Sequence, residues 1–438
     1  MSQRLEQPPS RLSRLRQAVA EHPPPGPTRR GFWRSPLRGP WLTSVFGSVL
    51  LAGIIVVFVT GLLSYAAYNP DLGSNDKTPG AGPLGFYLFD WPTNPSWLYR
   101  VTQGLHVTVG IVLIPVLLGK LWSVIPKLFT WPPVRSLAHA LERLSLLLLV
   151  GGVVFEFVTG LANIQYWYVF PGSFYSLHFY GAWVFIAAFV VHVAFKLPVV
   201  VRSLRSRSWR EELRTDTAHT VPEPPDDHEL VSPNPAAATI SRRGALALVG
   251  GGSALLFVVT AGQSFGGVLR RTALLAPRFT DPSDGPNGFQ VNKTADALGL
   301  TEGAQDPGWR LQVRGAEAMT FDRDQLLGLP QHTAALPIAC VEGWSTSAQA
   351  WAGVRLADLA QLAGVPAPVS VFVESLQESG FGTTTLRGNQ VLDPDSLLAL
   401  RVNGADLSLD HGFPARVIVP NNPGVHNTKW VTRLTFEA

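Results

Sequence analysis

The hydrophobic residues of this chain form five long runs in its first 265 positions and only short, interrupted runs after them. The long runs cover about residues 42–65, 99–122, 143–164, 176–200 and 244–265. A helix needs about 20 apolar residues to cross a bilayer, and each run is long enough. The pattern therefore predicts an all-α membrane four-helix bundle (residues 41–205), followed by a fifth transmembrane helix (residues 244–268).

Arginine and lysine residues beside these runs predict the orientation of the helices. They are concentrated in an N-terminal arm (residues 1–40), after the second run and after the fourth run. Cytoplasmic loops carry such an excess, so the arm and a flexible polar linker at 206–243 are predicted to be cytoplasmic. The fifth helix then places the rest of the chain outside the cytoplasm. The abundance of arginine, alanine, glycine and proline suggests a bacterial cell membrane.

The linker ends in Ser241-Arg242-Arg243, directly before the fifth apolar run. This sequence is similar to a twin-arginine export signal, although paired arginines are also an ordinary cytoplasmic flank of a transmembrane helix. The twin-arginine route carries folded cargo. It would therefore suit an outer domain that receives its cofactor inside the cell.

Three histidines lie within the apolar runs, where polar side chains are costly. His106 lies in the second run, and His178 and His192 lie in the fourth run, 14 residues apart. That separation is nearly four helical turns, so both share one helix face, about 21 Å apart along the axis. The spacing predicts two stacked hemes, with His106 and His178 on the outer one and His192 on the inner one. His139 is the available partner of His192.

An internal repeat supports this interpretation. The sequence FVTGL at 58–62 recurs at 157–161, and the four runs look like two copies of a helix hairpin. Placing the second run on the fourth aligns the outer histidines but puts Lys120 at the position of His192. The first hairpin therefore lacks an inner ligand, and the prediction is one or two hemes. The alternative is that these histidines cap helix ends or form hydrogen bonds within the bundle.

Residues 35–205 resemble the diheme membrane cytochrome b subunits found with formate dehydrogenase and nickel–iron hydrogenase. They also resemble the heme subunit that partners periplasmic methionine-sulfoxide reductase. The resemblance rests on the histidine spacing and the Thr-Gly repeats, and it implies heme b and a quinone partner in the membrane. Glu156, in the third run, could transfer protons at a quinone site or pair with a polar neighbour. One departure is that Pro40 and Trp41 stand where those subunits usually have an inner ligand.

Short alternating runs and turn residues after about Pro277 predict a C-terminal α+β domain (residues 277–438). Strands are predicted at Arg310–Val313, Ser370–Glu374, Ala415–Val419 and Trp430–Phe436, and helices at Asp322–Leu327, Leu356–Leu362 and Pro394–Leu400.

The chain has one cysteine, Cys340, in the segment PIACVEGWS at 337–345. A lone cysteine is often an inert core residue, but a thiolate is also a good ligand for a redox metal. This segment, WAGVRL at 351–356 and DHGFPAR at 410–416 together resemble the molybdenum-cysteine region of the sulfite-oxidase family. The closest likeness is to its bacterial branch, which includes the methionine-sulfoxide reductase catalytic subunit.

That resemblance implies a sulfite-oxidase-like molybdopterin domain in which Cys340 binds molybdenum. It also implies pterin contacts from four residues: Asn292, His411, Arg416 and Lys429. The eukaryotic sulfite oxidases have an arginine-rich segment after the cysteine, where this chain has Glu342 and Trp344. This departure argues against sulfite as the substrate.

The sequence thus predicts a membrane-bound molybdenum-dependent oxidoreductase that exchanges electrons between quinone and an outer molybdenum site through b-type hemes. Reduction of an S- or N-oxide is the favoured reaction. The alternatives are a sulfite-type dehydrogenase that reduces quinone, a cofactor-free binding module on a membrane anchor, and an anchor without heme. The expected partners are lipid, quinone, a small-molecule substrate and a possible redox protein. The net charge of +4 is spread beside the apolar runs and predicts no nucleic-acid surface.

Overall fold

The computed structural model describes residues 22–68, 89–167, 169, 174–225, 229–276, 285–378 and 380–438. Residues 1–21 of the predicted N-terminal arm and the predicted start of the C-terminal domain at 277 lie outside these ranges.

Five helical stretches in the described residues are long and apolar enough to cross a membrane, as predicted. Backbone groups in lipid have no water to bond, so an apolar run that crosses must satisfy them within a helix. The third helix begins at Leu137, earlier than predicted, and therefore includes His139. The helices are α1 (Pro40–Tyr68), α2 (Leu98–Leu128), α3 (Leu137–Ile164), α4 (Phe174–Arg205), the one-turn α5 (Trp209–Glu212), α6 (Arg242–Thr260) and α7 (Gly262–Phe265), the last two forming one stretch.

The chain divides into two compact units. Of the described residues, those within 1–53, 112–156 and 181–254 form the first unit, and those within 54–111, 157–180 and 255–438 form the second.

Buried charges hold the described part of the predicted linker (206–243) within the first unit. Arg242 is 1% exposed and pairs with the Glu212 carboxylate at 3.3 Å. The Glu223 carboxylate accepts a hydrogen bond from the Trp41 N–H at 3.0 Å, at the start of α1. The polar character of this segment predicts a flexible linker. In the structure, however, its acidic side chains pair with buried hydrogen-bond donors.

The Arg242 ion pair generates a stability prediction. Arg242→Gln should lower the free energy of unfolding by about 3–5 kcal/mol, because it breaks a buried charge pair. Denaturant unfolding of the detergent-solubilised chain, followed by tryptophan fluorescence, measures this change.

Arg243→Gln is the matched control, because Arg243 is exposed. It should change stability by no more than about 0.5 kcal/mol. Equal losses from both variants would contradict the assignment of a buried pair. A twin-arginine signal would require both side chains, so an export assay on the same two variants separates signalling from stability.

The C-terminal part of the second unit contains two five-stranded sheets. The strand order is β2-β1-β10-β5-β6 in one sheet and β3-β4-β7-β8 in the other, where β9 also pairs with β7. The pairing of β1 with β10 is parallel and the other pairings are antiparallel. The strands are β1 (Leu311–Arg314), β2 (Ala318–Phe321), β3 (His332–Leu336), β4 (Gln349–Arg355), β5 (Ser370–Ser375), β6 (Thr383–Arg387), β7 (Leu397–Val402), β8 (Ala405–Asp406), β9 (Arg416–Ile418) and β10 (Val431–Glu437).

One short helix precedes these strands and three lie between them, and the prediction for two of the four is confirmed. A capping box begins α9: the Asp322 carboxylate accepts from the Gln325 N–H at 2.8 Å, and the Gln325 side chain accepts from the Asp322 N–H at 2.9 Å. The helices are α8 (Thr301–Gln305), α9 (Arg323–Gly328), α10 (Leu356–Leu362) and α11 (Gly388–Val391).

The predicted helix at Pro394–Leu400 is wrong, because most of this segment belongs to strand β7. Leu398 and Leu400 enter the core shared by the two sheets, whereas Leu397 and Ala399 enter a second cluster that contains Cys340. A strand that is buried on both faces has no polar alternation, so its sequence resembles that of a buried helix. Strand β7 therefore connects the domain core to the Cys340 region.

Candidate functional site

The Cys340 loop, defined as residues Cys340–Ser345, is a tight turn in the second unit. The Cys340 N–H donates to the Trp344 carbonyl at 2.9 Å, and the Gly343 N–H donates to the Cys340 carbonyl at 3.0 Å. Gly343 has a φ of +88°, a left-handed conformation that glycine adopts without steric cost. The turn buries the cysteine, which is 3% exposed.

The environment of the Cys340 thiol disfavours a free thiolate. Burial, followed by the neighbouring Glu342 carboxylate, raises the pKa of the Cys340 thiol above its ordinary value. A thiol in this setting loses its proton when a cation compensates its charge, which is what a bound metal provides. A Cβ atom on Gly424 would lie 3.9 Å from the sulfur.

Arg416 is a buried cation without an acidic partner among the described residues. Its guanidinium donates to the His411 carbonyl at 3.2 Å and to the Asn427 carbonyl at 2.8 Å. It also lies 5.1 Å from the centre of the Trp351 ring. Its Nε has no hydrogen-bond partner in this part of the chain, and burial lowers the pKa of Arg416 to about 9. An unpaired buried charge is costly, so an anionic group here would stabilise the site.

His411 and Lys429 lie beside Arg416 and differ in charge. The His411 ring stacks on the Phe289 ring, with the ring centres 3.7 Å apart. Burial, followed by the charges of Arg416 and Lys429, lowers the pKa of His411 to about 3, so the imidazole is neutral near pH 7. The Lys429 ammonium donates to two backbone carbonyls, both at 2.7 Å.

Gly412 allows these side chains to converge. Its φ of +106° favours glycine, and a Cβ atom there would lie 2.9 Å from the Lys429 Cβ and 3.1 Å from the Arg416 Cβ. Both the backbone conformation and the close approach therefore require glycine in the DHGFPAR motif.

Three further polar residues in this region escaped the sequence analysis. Asn422, Asn427 and Thr428 are buried. Among the described residues, Nδ2 of both asparagines and Oγ1 of Thr428 have no hydrogen-bond partner. Such buried groups are rare unless a ligand or water satisfies them. In the sequence, these three residues are marked only by their place in a short polar stretch between two buried strands, β9 and β10.

The Gly412 contacts generate a second prediction. Gly412→Ala should lower the free energy of unfolding by about 1–3 kcal/mol beyond the cost of the left-handed backbone, because the new methyl group overpacks against Lys429 and Arg416. Denaturant unfolding measures the change. Gly404→Ala is the control, since Gly404 has a φ of +81° with nothing within 4 Å of its Cβ position. Equal destabilisation by the two substitutions would show that only the backbone conformation matters.

The His106 and His178 side chains face each other within the second unit. Their ring centres are 6.3 Å apart and the ring planes cross at 81°. The His106 Nδ1–H donates to the Val57 carbonyl at 2.9 Å, which leaves Nε2 with the lone pair that binds a metal. Two metal–imidazole bonds of about 2.0–2.1 Å each, together with the two ring radii, give a separation of about 6 Å. The ring separation is therefore of the size that a metal between two imidazoles requires.

The FVTGL repeat supplies a threonine and a glycine to each of these histidines. Thr60 Oγ1 lies 3.3 Å from His106 Nδ1, and Thr159 Oγ1 lies 3.0 Å from His178 Nδ1. A Cβ atom on the glycine after each threonine would lie 3.1 Å and 3.6 Å, respectively, from Cε1 of the same histidine. The two threonines are thus site residues that sequence reasoning did not assign, although the repeat marked their positions.

His192 and His139 belong to the first unit, where the described residues give no ring contact between them. His139 lies at the start of α3, and its Nδ1 accepts a hydrogen bond from the Arg135 N–H at 3.2 Å. The Lys120 ammonium donates to the Thr43 carbonyl at 2.8 Å. Pairing of the two histidines on an inner heme stays a prediction.

Glu156 and Asn292 are the remaining residues selected from the sequence. Glu156 packs directly against Gly181 in the first unit. Asn292 is half-buried in the second unit, and the described residues give its side chain no hydrogen bond. A proton-transfer role for Glu156 and a pterin contact for Asn292 stay predictions.

The residues around Cys340 fit a molybdopterin cofactor by their chemistry. A soft thiolate suits a redox metal, and the pterin phosphate is an anion of the kind that an unpaired arginine and free amide donors attract. The described residues contain no group of three or more His, Cys, Asp or Glu side chains placed to hold a metal ion. Neither a single thiolate nor a pair of imidazoles forms such a group.

Comparisons with known proteins bear on this C-terminal region. Residues 299–438 match the family model described as an oxidoreductase molybdopterin binding domain. A Bacillus subtilis protein described as uncharacterized oxidoreductase YuiH is 33% identical over 130 residues, which are 29% of this chain and 65% of that protein. The mitochondrial sulfite oxidase of Mus musculus is 31% identical over 159 residues, covering 30% of this chain and 29% of that enzyme.

The crystal structure of the sulfane dehydrogenase SoxCD from Paracoccus pantotrophus also matches, with 25% identity and a TM-score of 0.30. The match covers 35% of this chain and 43% of that chain, and so low a score defines no shared fold.

Residues 299–438 thus match a molybdopterin-binding domain, and this region is similar to part of the sulfite oxidases. The chain spans just under two thirds of the Bacillus protein and less than a third of the mouse enzyme. The long apolar helices and the His106–His178 pair precede the range of the family match.

Proposed function

We propose that this chain is a membrane-bound oxidoreductase that couples a molybdopterin site at Cys340 to membrane quinone through b-type heme. The proposal places the C-terminal domain outside the cytoplasm and assigns the outer heme to His106 and His178. The observation that carries it is the combination of one buried thiol with a buried arginine that has no acidic partner, both within the second unit.

The cofactor-binding residues have separate tasks in this proposal. The Cys340 thiolate would hold the metal, and Arg416 would pair with the anionic end of the pterin. Asn422 and Asn427 each have a buried amide donor available for its polar edge. When bound, molybdopterin supplies two-electron oxygen-atom transfer. His411 is neutral and therefore adds no positive charge beside Arg416. Its stacking on Phe289 fixes the orientation of the imidazole ring.

The imidazole pair would hold a heme in the membrane part of the second unit. A bound heme supplies one-electron storage between quinone and the outer site. The Val57 carbonyl and the Thr60 hydroxyl orient the His106 ring, and the Thr159 hydroxyl orients the His178 ring. Such hydrogen bonds, donated by the Nδ1–H group, raise the basicity of the ligating nitrogen.

The charge beside the thiol favours a neutral substrate. The Glu342 carboxylate lies close enough to Cys340 to affect the ionisation of the thiol, and Glu342 is 8% exposed. A buried carboxylate repels an anion such as sulfite but not a neutral S-oxide or N-oxide. We therefore propose reduction of such an oxide, with quinol as the electron donor.

Molybdenum analysis tests the outer site. We expect about one molybdenum per purified chain, and Cys340→Ser should remove the metal or its activity because a hydroxyl is a poorer ligand for it. Thr333→Ala, on the exposed side of β3, should retain the wild-type metal content. A wild-type protein produced with the cofactor pathway intact but lacking molybdenum would favour a cofactor-free binding module.

Absorption spectroscopy tests the heme site. His106→Ala and His178→Ala should each abolish the reducible b-type absorption of the outer heme, because each removes an axial ligand. His192→Ala should leave that absorption in place. The amplitude that remains in this variant, compared with the wild type, distinguishes one heme from two. If His106→Ala keeps the full wild-type spectrum, the pair is not the heme site.

The direction of electron flow has its own test. The hemes are reduced with a quinol analogue, and sulfoxides and N-oxides are then screened for reoxidation. Reoxidation by an oxide supports the reductase. Reduction of the hemes by sulfite, with no response to any oxide, would instead identify a dehydrogenase.

A further inference from the structure

Three backbone carbonyls of the Cys340 loop accept hydrogen bonds from side chains that precede the C-terminal domain. The donors lie on α2, on α7 and in the turn after α7, all within the second unit. The bonds run from Gln103 to Val341, from Ser264 to Gly343, and from Arg270 to Ser345.

Burial of the Gln103 amide has a desolvation cost that packing contacts alone do not explain. Gln103 is 5% exposed, and its Oε1 has no hydrogen-bond partner among the described residues. Burying an amide is unfavourable unless it is hydrogen-bonded, and an apolar side chain of similar length would fill this position at a lower desolvation cost. The bond from Nε2 to the Val341 carbonyl is the interaction that compensates for burial.

A close steric contact lies one helical turn further along α2. A Cβ atom on Gly343 would lie 2.8 Å from the Val107 Cβ, a distance that no relaxed contact allows. Val107 is 7% exposed, so it has no open space into which to move. The valine therefore limits how far the turn of the Cys340 loop can shift toward α2.

These two contacts flank His106. Gln103 precedes it by about one helical turn and Val107 follows it directly. The same segment of α2 thus holds His106 against His178 and holds the backbone of the Cys340 loop.

We infer that Gln103 and Val107 are positioning residues of the Cys340 site, through which the segment of α2 that carries His106 sets the orientation of the Cys340 thiol. This inference rests on the proposed function only for the role of the thiol as a metal ligand. Gln103 holds the turn by a hydrogen bond to the Val341 carbonyl, and Val107 blocks movement of Gly343 toward α2. The membrane-spanning helix is thereby a component of the metal site.

The chain offers a direct measurement, because Cys340 is its only cysteine. The rate of maleimide labelling of the full-length, cofactor-free chain reports the opening of the Cys340 loop alone. We expect Gln103→Met to accelerate labelling about tenfold, the effect of about 1.4 kcal/mol on an opening equilibrium.

Gln165→Met is the matched control. The Gln165 amide also donates to a backbone carbonyl of the second unit, that of Leu275, at 3.2 Å. This bond does not involve the Cys340 loop, so labelling should keep its wild-type rate. Equal rates for Gln103→Met and Gln165→Met would overturn the inference.

A steric cycle tests Val107 independently and decides the matter if Gln103→Met does not fold. Gly343→Ala should accelerate labelling, because the new methyl group clashes with Val107. Adding Val107→Gly should restore much of the slow rate, since it removes the Cβ atom and both methyl groups that the new methyl group meets. Additive effects of the two substitutions would contradict a direct contact.

A spectroscopic readout separates positioning from loss of structure. In the cofactor-loaded chain, Gln103→Met should retain molybdenum but change its EPR spectrum, because the sulfur orientation changes. Gln165→Met should leave the spectrum unchanged. If the chain binds no molybdenum, the proposed function fails, while the labelling experiments still decide whether α2 positions the loop. An unchanged EPR spectrum in Gln103→Met would overturn the positioning role.

Discussion

Buried backbone carbonyls need donors, and the Cys340 loop obtains several of its donors from helices that are long enough to cross a membrane. Gln103 and Ser264 supply two of them. A related bond runs the other way: the His426 Nε2–H donates to the Tyr68 carbonyl at 2.7 Å, at the end of α1, where helix carbonyls lack partners. The conformation of the Cys340 loop therefore depends on residues far outside the matched domain. In the proposed enzyme, the membrane helices would shape the active site as well as anchor it.

Electrostatic asymmetry explains how such a site could favour an anionic cofactor and a neutral substrate together. Arg416 is buried without an acid beside it in the described residues, so its guanidinium would attract a phosphate. Glu342, in contrast, lies next to the thiol, and its carboxylate would repel an anion. Coulomb interactions are strong in a medium of low dielectric constant. Both effects are therefore largest at the buried positions where these two residues lie.

Much of this arrangement could be predicted from the sequence, because the relevant signals are local. Apolar runs predicted the five long helices, and the PIACVEGWS and DHGFPAR segments selected Cys340 and Arg416. Features that depend on distant pairing left no local signal. The sequence of strand β7 predicts a helix because both of its faces are buried, and the partner of Gln103 lies 238 positions away. The unsatisfied amides of Asn422 and Asn427 became visible only when their surroundings were known.

The internal repeat places a lysine at the position where the first hairpin would need a histidine for the predicted inner heme. Lys120 stands 14 positions after His106, at the step that separates His192 from His178, and Gly47 stands 14 positions before Gly61. The Lys120 Nζ would lie 3.0 Å from a Cβ atom on Gly47, and it donates to the Thr43 carbonyl. The first hairpin thus keeps the glycine of a ligand position but places an ammonium group there. An ammonium group has no lone pair for iron, and the Lys120 ammonium already donates to a backbone carbonyl. The repeat therefore offers at most one histidine ligand, His192, at this inner position. The proposed electron path accordingly rests on the outer pair.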